Sequence, residues 1–505
     1  MHQVFGLSRK QFYLTGIALL AAGTLVSCGN ENEPAEGNAE AGYIAINILA
    51  PNSNATRATD GGFVNGTDDE GKADKGTFLL FDAAGNQVGQ PQELTLTPWA
   101  GPGSTNVENM SSAVLVVENQ KDIATTHVLA ILNAPAGADF AGKTLTQVVG
   151  IAGDYSGTDH GFVMTNSVYN EGGKTVTATP IAGHIAASTE AAKNNPVEIY
   201  VERVLSKVQT SVLSNVEGSD IIVSGQTVTV KPEIAGIEVA NVAQNSNLVK
   251  DISGIDFSWN WNDAANKRSY WATTSNTEFS NQSWNTIGNT SAAKAQNFYV
   301  QENTGDTRTS VLVTGRLKDE NGEALSFVKY AGQFYTPAGA MNIMANVLKN
   351  AGYRINTGTE SVTIAPEQLK WAQPAGIESW QTVAQLATAE GTVFTKNGET
   401  VSAAEINTFL TGNAYRVKFW NDGMAYWYVN IEHFGTDAAG NALNGIVRNH
   451  VYDLSLNSLK GLGVPVFDPD REIIPDIPVD EDGFYIAARI NILKWKVVSQ
   501  DVNFE

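Results

Sequence analysis

The chain has 505 residues, which is too long for one ordinary core and predicts two main domains with additional tails. Its 42% hydrophobic content argues against a disordered polymer, and its frequent Gly, Thr, Asn, Ser and Val favour an all-β protein with many turns. The formal charge of −21 argues against nucleic acid as a partner, because phosphate binding requires clustered Lys and Arg.

The N-terminus has the features of an exported lipoprotein. Residues 1–28 contain the positive charges of Arg9 and Lys10, followed by a short apolar stretch, and end in a Leu-Val-Ser-Cys sequence whose cysteine is Cys28. The apolar stretch is too short to span a bilayer, as expected of a signal peptide. Cys28 is the sole cysteine, which excludes an intrachain disulfide, and it stands where a lipobox carries its lipidated residue. We predict lipidation at Cys28; the alternative is a plain signal peptide with a coincidental cysteine.

Residues 29–57 contain a predicted strand followed by a predicted cleavage site. After an acidic tether, residues 43–50 alternate isoleucines with smaller or polar side chains, which predicts a half-buried strand. The segment that follows is small, polar and Gly-rich, so it should be exposed and easily cut. Arg57 is the only basic residue between Lys10 and Lys72. An arginine-specific protease would therefore find one target there.

The C-terminal residues 483–505 repeat the pattern of this first strand. Alternate apolar residues of the predicted strand share one face: Phe484, Ile486, Ala488, Ile490 and Ile492. Both strands contain Tyr-Ile-Ala and Ile-Asn-Ile-Leu, and the spacing of these two pieces differs by two residues, which preserves strand parity. The functional interpretation is that both strands fit one groove, the first before cleavage and the second afterwards. Chance or shared β-propensity is the alternative.

Residues 464–482 are predicted to be a stiff linker. They contain four prolines and many acidic residues, a composition that favours an extended chain. At about 3.1 Å per residue the linker would reach roughly 55–60 Å, enough to carry the last strand to another subunit. Strand addition is an established mode of recognition. The alternative is a linker that folds back onto its own domain.

The body between the tails shows short strand-like runs separated by turns. We place a domain boundary near residue 212, which separates an N-terminal domain, 58–212, from a C-terminal domain, 213–463. Two short helices are predicted over 340–350 and 403–410, and two hairpin turns at 319–322 and 396–398.

Aromatic residues crowd into two segments of the C-terminal domain: Trp259, Trp261, Trp271, Trp284 and Trp420, Tyr426, Trp427, Tyr428. Core packing explains such clusters. A second interpretation is a platform on which sugars stack. It would make the chain a monomeric surface lipoprotein that binds glycans, and this is the alternative to a structural polymer subunit.

No pattern of catalytic or metal-binding residues emerges. The six histidines lack metal-ligand spacing, and no Gly-x-Ser-x-Gly elbow is present. A solvated linker explains its aspartates better than weak calcium binding does: Asp468, Asp470, Asp476, Asp480 and Asp482. We therefore predict a protein that is not an enzyme and uses no metal or cofactor.

Several motifs resemble those of the Bacteroidales fimbrillins, the type V pilins. They are Tyr-Trp-Tyr-Val-Asn-Ile at 426–431, Gly-Ile-Val-Arg-Asn-His-Val-Tyr at 445–452 and Ser-Leu-Lys-Gly-Leu-Gly at 458–463. Val-Glu-Arg at 201–203 resembles the motif that closes the family's N-terminal domain, and Leu-Lys-Trp-Lys-Val at 493–497 resembles its terminal strand. Within this family the chain resembles the major shaft subunit of the minor fimbriae.

The resemblance implies two tandem transthyretin-like Greek-key β-sandwich domains, a few short helices and an extended C-terminal donor strand. Fimbrillins are exported as lipoproteins and cut by an arginine-specific protease. Loss of the N-terminal strand opens a groove, which the C-terminal strand of a neighbour fills. Carried over, Cys28 is the lipidation site, Arg57 precedes the cut, Ala58 becomes the mature N-terminus, and the donor segment extends through Trp495 and Val497.

The resemblance also implies partners and a location. Further copies of the chain would form a homopolymer, accessory tip and anchor subunits would join it, and the polymer would support cell adhesion and biofilm formation. The lipid would hold the precursor at the outer membrane before cleavage, and the mature protein would stand in a cell-surface fimbrium that contacts host or bacterial surface ligands.

Overall fold

The structure is a computed structural model. It describes residues 42–50, 66–99, 109–117, 125–157, 161–171, 174–211, 213, 215–252, 272–288, 296–387, 390–436, 442–475, 485–493 and 498–501.

The first part of the chain forms a set of strands joined by short helices. The strands are β1 (Gly42–Ala50), β2 (Lys75–Asp82), β3 (Gln87–Thr95), β4 (Thr97–Pro98), β5 (Asn109–Val117), β6 (Thr125–Leu132), β7 (Ala152–Gly153), β8 (Met164–Asn166), β9 (Tyr169–Glu171), β10 (Lys174–Val176), β11 (Thr179–Pro180) and β12 (Val197–Arg203). The helices are α1 (Asp68–Gly71), α2 (Leu145–Val149) and α3 (Thr189–Lys193).

Most of these strands form one sheet, in the order β3-β2-β6-β8-β12-β1-β5-β4, with β11 added beside β6. Strand β6 is buried over most of its length. The sheet curls until β3 approaches β5, where the Gln92 side chain donates to Val116 O at 2.7 Å and accepts from Val116 N at 3.0 Å. One continuous apolar core lies inside this curl.

The second part begins with β13 (Leu205–Thr210), directly after β12. Its other strands are β14 (Asn215–Val216), β15 (Ser219–Val223), β16 (Gln226–Ala240), β17 (Val242–Ala243), β18 (Ser246–Asn247), β19 (Phe279–Ser280), β20 (Gln296–Gln301), β21 (Ser310–Lys318), β22 (Phe327–Tyr330) and β23 (Gln333–Tyr335). Helix α4 (Trp284–Ile287) follows β19. The chain thus changes sheet between Arg203 and Leu205, while the boundary near residue 212 stays a prediction.

A smaller helical and stranded module follows β23. It contains α5 (Pro337–Asn350), β24 (Tyr353–Asn356), β25 (Ser361–Thr363), β26 (Leu369–Ala372), β27 (Val383–Leu386), β28 (Val393–Lys396), β29 (Glu399–Val401) and α6 (Ala403–Leu410). Its side chains form a separate apolar core. Helices α5 and α6 pack on the sheet whose strand order is β25-β24-β28-β29.

The chain then returns to the second part through its last strands. These are β30 (Lys418–Trp420), β31 (Met424–Asn430), β32 (Glu432–Thr436), β33 (Ala442–Asn444), β34 (Val451–Lys460), β35 (Val464–Pro465), β36 (Tyr485–Leu493) and β37 (Val498–Asp501). Two sheets enclose the second core, in the orders β20-β13-β34-β36-β37 and β30-β22-β23-β15-β16-β21-β31-β35.

The all-β class with a few short helices is confirmed, and α5 and α6 lie where helices were predicted. The hairpin at 396–398 is also confirmed, because β28 pairs with β29 around Asn397 and Gly398, whose φ angles are 52° and 94°. None of the described helices is long and apolar enough to cross a membrane.

The hairpin predicted at 319–322 is wrong in its pairing. The turn forms, with Asp319 N donating to Glu323 O at 2.9 Å, and Lys318 bridges to Ala324. Beyond that bridge β21 and β22 do not pair, because β16 and β31 already occupy both edges of β21. Strand β22 pairs instead with β23 and β30.

Candidate functional site: the slot of the first strand

Strand β1 lies inside the first sheet and not at its edge. It pairs in parallel with β12 and in antiparallel with β5, so that Ile46 stands opposite Val197 on one side and Ala113 on the other. Its ladder with β5 runs over all nine residues of the strand. The segment predicted to be cleaved therefore leads away from a central strand that is hydrogen-bonded on both sides.

One face of β1 belongs to the main core. Ile44 and Ile46 are fully buried there, together with Leu115 on β5 and Ile199 on β12. Burying one such side chain contributes on the order of 1.5–3 kcal/mol. Removal of β1 would expose this apolar floor and leave two strand edges with unpaired backbone groups.

The opposite face of β1 is covered by α3. Ala45 is 4% exposed and contacts Ala192, which is fully buried, beside Val114 of β5. Helix α3 begins here because the Ser188 side chain accepts from Ala191 N at 3.2 Å and caps the first turn. The slot of β1 thus has an apolar floor, two strands as walls and a roof that leaves room for a methyl group.

The walls were not named from the sequence. They are β5 and β12, and the residues that line the floor are Ala113, Leu115, Val117, Val197, Ile199 and Val201. The alternation of apolar residues in β12 and the continuous apolar run in β5 mark both as buried strands. Neither pattern indicates which third strand lies between them, since that depends on pairing distant in sequence.

The tail strand β36 lies on its own chain. It pairs in antiparallel with β34 at the end of the second sheet, and β37 pairs with its outer side. Opposite β36 stand residues of β34 that are buried in the second core: Tyr452, Leu454, Leu456 and Leu459. Ile486, Ala488, Ile490 and Ile492 occupy the register positions facing these four. The tail thus completes its own sheet in the single chain.

The first part of the predicted linker is held against the body. Asn285 N donates to Pro469 O and Ile473 N to Gln282 O, both at 3.0 Å, and Arg471 Nη2 donates to Ile377 O at 3.1 Å. Val464, Val466 and Ile473 are buried with Trp284 and Tyr426 in a separate apolar cluster. The length of roughly 55–60 Å predicted for a fully extended linker over 464–482 is therefore too long for this structure, because its first part packs on the body.

A buried polar cluster joins β12 and β13 to both parts of the chain. Lys207 Nζ donates to Glu70 Oε1 at 2.7 Å, and Tyr299 OH also donates to that carboxylate. Arg203 donates through Nε to Glu70 O, and Asn449 Oδ1 accepts from Arg203 N at 3.3 Å. Burial by itself would raise the pKa of Glu70, but the hydrogen bonds from Lys207, Tyr299 and Thr67 outweigh it and hold this pKa below its ordinary value of 4.5.

A second buried cluster surrounds Arg448, which belongs to the motif at 445–452. Arg448 is fully buried, and its backbone N donates to Glu302 Oε1 at 3.0 Å. Its side chain donates through Nε and Nη2 to Glu302 Oε2 at 3.0 and 2.9 Å, and through Nη1 to Leu248 O at 2.9 Å. Nearby, Lys250 Nζ donates to Glu202 on β12 at 3.0 Å. Because removing one member of a buried ion pair is strongly destabilising, this cluster fixes β12 relative to the start of β34.

The predicted site residues fall in different places. Outside the described residues lie Cys28, Arg57, Ala58, Phe484, Trp495 and Val497. The backbone of Ile486, Ala488, Ile490 and Ile492 forms part of β36. Among the described residues, no group of three His, Cys, Asp or Glu side chains could hold a metal ion.

Four of the five described members of the predicted aromatic platform pack inside the protein, and the fifth, Tyr428, is half-buried. Trp284, Trp420, Tyr426 and Trp427 are each at most 6% exposed, so none of the four offers a face to a sugar. Trp420 stacks on Phe327 with ring centroids 4.7 Å apart. Three further members of the predicted platform lie outside the described residues: Trp259, Trp261 and Trp271.

Solved structures of several surface proteins are similar to this chain. A candidate cell adhesion protein from Bacteroides eggerthii is 12% identical, with 94% of this chain and 98% of that chain covered and a TM-score of 0.36. A tip fimbrial protein from Porphyromonas gingivalis is 13% identical, with 90% and 100% covered and a TM-score of 0.33. A fimbrial assembly protein from Parabacteroides distasonis is 12% identical, with 70% and 99% covered and a TM-score of 0.30. At these scores the likenesses carry no conclusion of their own.

No curated protein matches the chain. Residues 418–501 match the family model described as major fimbrial subunit protein type IV, fimbrillin, C-terminal. The match begins at β30 and ends with β37. It therefore includes the tail strand β36 and β34, the strand with which the tail pairs in its own chain and which forms the seat of the tail. It supports a role as a fimbrial subunit. The C-terminal segment of this chain is therefore similar to the fimbrillin C-terminal region, and the resemblance seen in its motifs is confirmed there.

Proposed function

We propose that this protein is a structural fimbrial subunit that polymerises by strand exchange. Proteolysis after Arg57 would separate β1 from the body, and residues 485–493 of a second copy would replace it between β5 and β12. The observation that carries this proposal is the position of β1, which is a central strand of the sheet. Its covalent connection to the rest of the domain runs through the segment that contains Arg57.

The exchange has a physical driving force. In its own chain β36 pairs with β34 and with the short strand β37. The slot of β1 offers two ladders, an apolar floor and a roof, so a strand there is enclosed on every side. Main-chain pairing supplies affinity in such strand additions, and pockets for alternate side chains supply specificity. The tail strand and β1 are also equally long, at nine residues each.

The remaining steps of the proposal concern export. Lipidation at Cys28 would hold the precursor at the outer membrane, and cleavage by an arginine-specific protease would release it with Ala58 as the first residue. Accessory tip and anchor subunits would begin and end the polymer. Such a fimbrium would support cell adhesion and biofilm formation through host or bacterial surface ligands.

Polymerisation after proteolysis tests this proposal. The chain from Gly29 onward would be treated with an arginine-specific protease and examined for a heat-sensitive ladder on a denaturing gel. An Arg57→Ala chain and a chain ending at Asp482 serve as controls. We expect a ladder only from the intact, cleaved chain. A chain that is cut at Arg57 and stays monomeric would overturn the proposal.

A further inference from the structure

The slot of β1 distinguishes between two ways in which the tail could enter it. The tail shares two pieces of sequence with β1, Tyr-Ile-Ala and Ile-Asn-Ile-Leu, and two extra residues separate them in the tail. An incoming tail can therefore match only one of the two pieces, because the two alignments differ by two residues. Parity is the same in both, so alternation alone does not decide between them.

In the first alignment Tyr485 takes the position of Tyr43. Ala487 then takes the position of Ala45 under α3, and Arg489 takes that of Asn47. In the second alignment Leu493 takes the position of Leu49. Arg489 then takes the position of Ala45, against the fully buried Ala192.

The roof of the slot excludes the second alignment. Ala45 is 4% exposed and lies against Ala192, with Val114 and Val116 beside it. A guanidinium side chain at this position would have to displace α3 or be buried among apolar groups without a counter-charge, and either is costly. Alanine at the same position leaves the roof unchanged. The face of β1 that points into the core favours neither alignment, because each alignment places Ala488 at a position where β1 has a buried isoleucine.

Charge favours the first alignment independently. The register partner of Asn47 on β12 is Glu198, which is exposed. In the first alignment Arg489 stands at the position opposite Glu198, and opposite charges at facing positions attract. In its own chain Arg489 has Asp501 of β37 as its register partner.

We infer that the tail of a second copy enters the slot parallel to β12 in the Tyr-Ile-Ala alignment, with Ala487 under α3 and Arg489 opposite Glu198. This inference rests on the proposed strand exchange and adds its register. Ala487 and Ala192 then act as the residues that select the register, and Arg489 and Glu198 reinforce the choice.

Disulfide trapping between two chains tests the register. Ser111 of β5 stands opposite Ile48 of β1. In the inferred alignment Ile490 takes the position of Ile48, whereas in the other alignment Ile492 does. Directly opposite Cβ atoms lie about 4.5–5.5 Å apart, while diagonal neighbours are about 7–8 Å apart, which is too far for a disulfide.

Chains beginning at Gly29 contain no native cysteine, so each substitution supplies the only thiol. A Ser111→Cys chain would be mixed with an Ile490→Cys chain or with an Ile492→Cys chain, cleaved with the protease and oxidised. We expect the Ile490→Cys mixture to give roughly tenfold more covalent dimer than the Ile492→Cys mixture, because only its thiols are directly opposite. Each chain oxidised alone is the control.

The outcomes separate the register from the exchange itself. Dominant trapping through Ile492→Cys, or a heat-sensitive ladder without trapping through either position, would overturn the inferred register and leave strand exchange standing. Absence of a ladder from the cleaved, unsubstituted chain would overturn the proposed function, and the register with it.

Discussion

At the scale of single residues, the polar cluster around Glu70 links acidity to stability. Glu70 is almost completely buried and accepts hydrogen bonds from Lys207 and Tyr299. Its pKa is held below 4.5 in the folded protein. A carboxylate with a depressed folded pKa contributes stability above its unfolded pKa, and this contribution is lost as the pH falls through the folded value.

The Glu70→Gln variant should therefore be less stable than wild type near neutral pH, by about 2–4 kcal/mol, because Lys207 loses its counter-charge. The gap in unfolding free energy should narrow as the pH falls below 4.5, since wild type then protonates the same carboxyl group. Denaturant unfolding at a series of pH values measures this. Glu93→Gln, which alters an exposed pair with Lys75, is the matched control. A gap that stays constant from pH 7 to acid would contradict this explanation.

At the scale of elements, the roof of the slot predicts opposite effects for neighbouring residues of the tail. An Ala488→Ile chain places an isoleucine where β1 has Ile46, so it should polymerise at least as well as wild type. An Ala487→Ile chain places the same side chain under α3, where Ala45 contacts Ala192. Overpacking of this kind typically costs about 1–3 kcal/mol, which corresponds to about a fivefold to hundredfold loss of ladder formation.

The two variants add the same atoms to adjacent alanines, so each controls for the other. The rate at which the ladder grows after cleavage would be measured for both chains. Equal rates would show that α3 yields to the incoming strand, and the roof would then have no part in specificity.

Local sequence patterns indicated some elements well and others poorly. Helices α5 and α6 and the turn around Asn397 and Gly398 follow from short-range signals, namely helix caps and residues that accept positive φ. The pairing of β21 with β31 takes the place of the hairpin predicted at 319–322. It joins strands more than 100 residues apart, so no local sequence pattern indicates it. Burial of Ile473 likewise depends on Trp284, far away in the chain.

In the candidate site, too, some features follow from local sequence patterns and others depend on contacts between distant segments. The strand character of β1 and of the tail is visible in their alternating isoleucines. That β1 lies between β5 and β12 is not visible, because the sheet order depends on contacts between remote segments. The closeness of Ala45 to Ala192 required the placement of α3 as well.

At the scale of the whole molecule, the slot and the seat of the tail are connected. Strand β12 forms one wall of the slot, and the chain continues directly into β13, which pairs with β34 beneath the tail. Buried ion pairs brace this path, with Arg448 holding Glu302 and Lys250 holding Glu202.

The central claim is that one chain supplies the slot and another supplies the strand. The most direct measurement mixes two chains that are each defective in one role. A cleaved chain ending at Asp482 has an open slot and no tail, whereas an Arg57→Ala chain keeps β1 and its tail. We expect neither chain to polymerise alone and the mixture to give a heat-sensitive dimer and nothing larger. A mixture that stays monomeric, or a ladder from either chain alone, would contradict strand exchange between the slot and the tail.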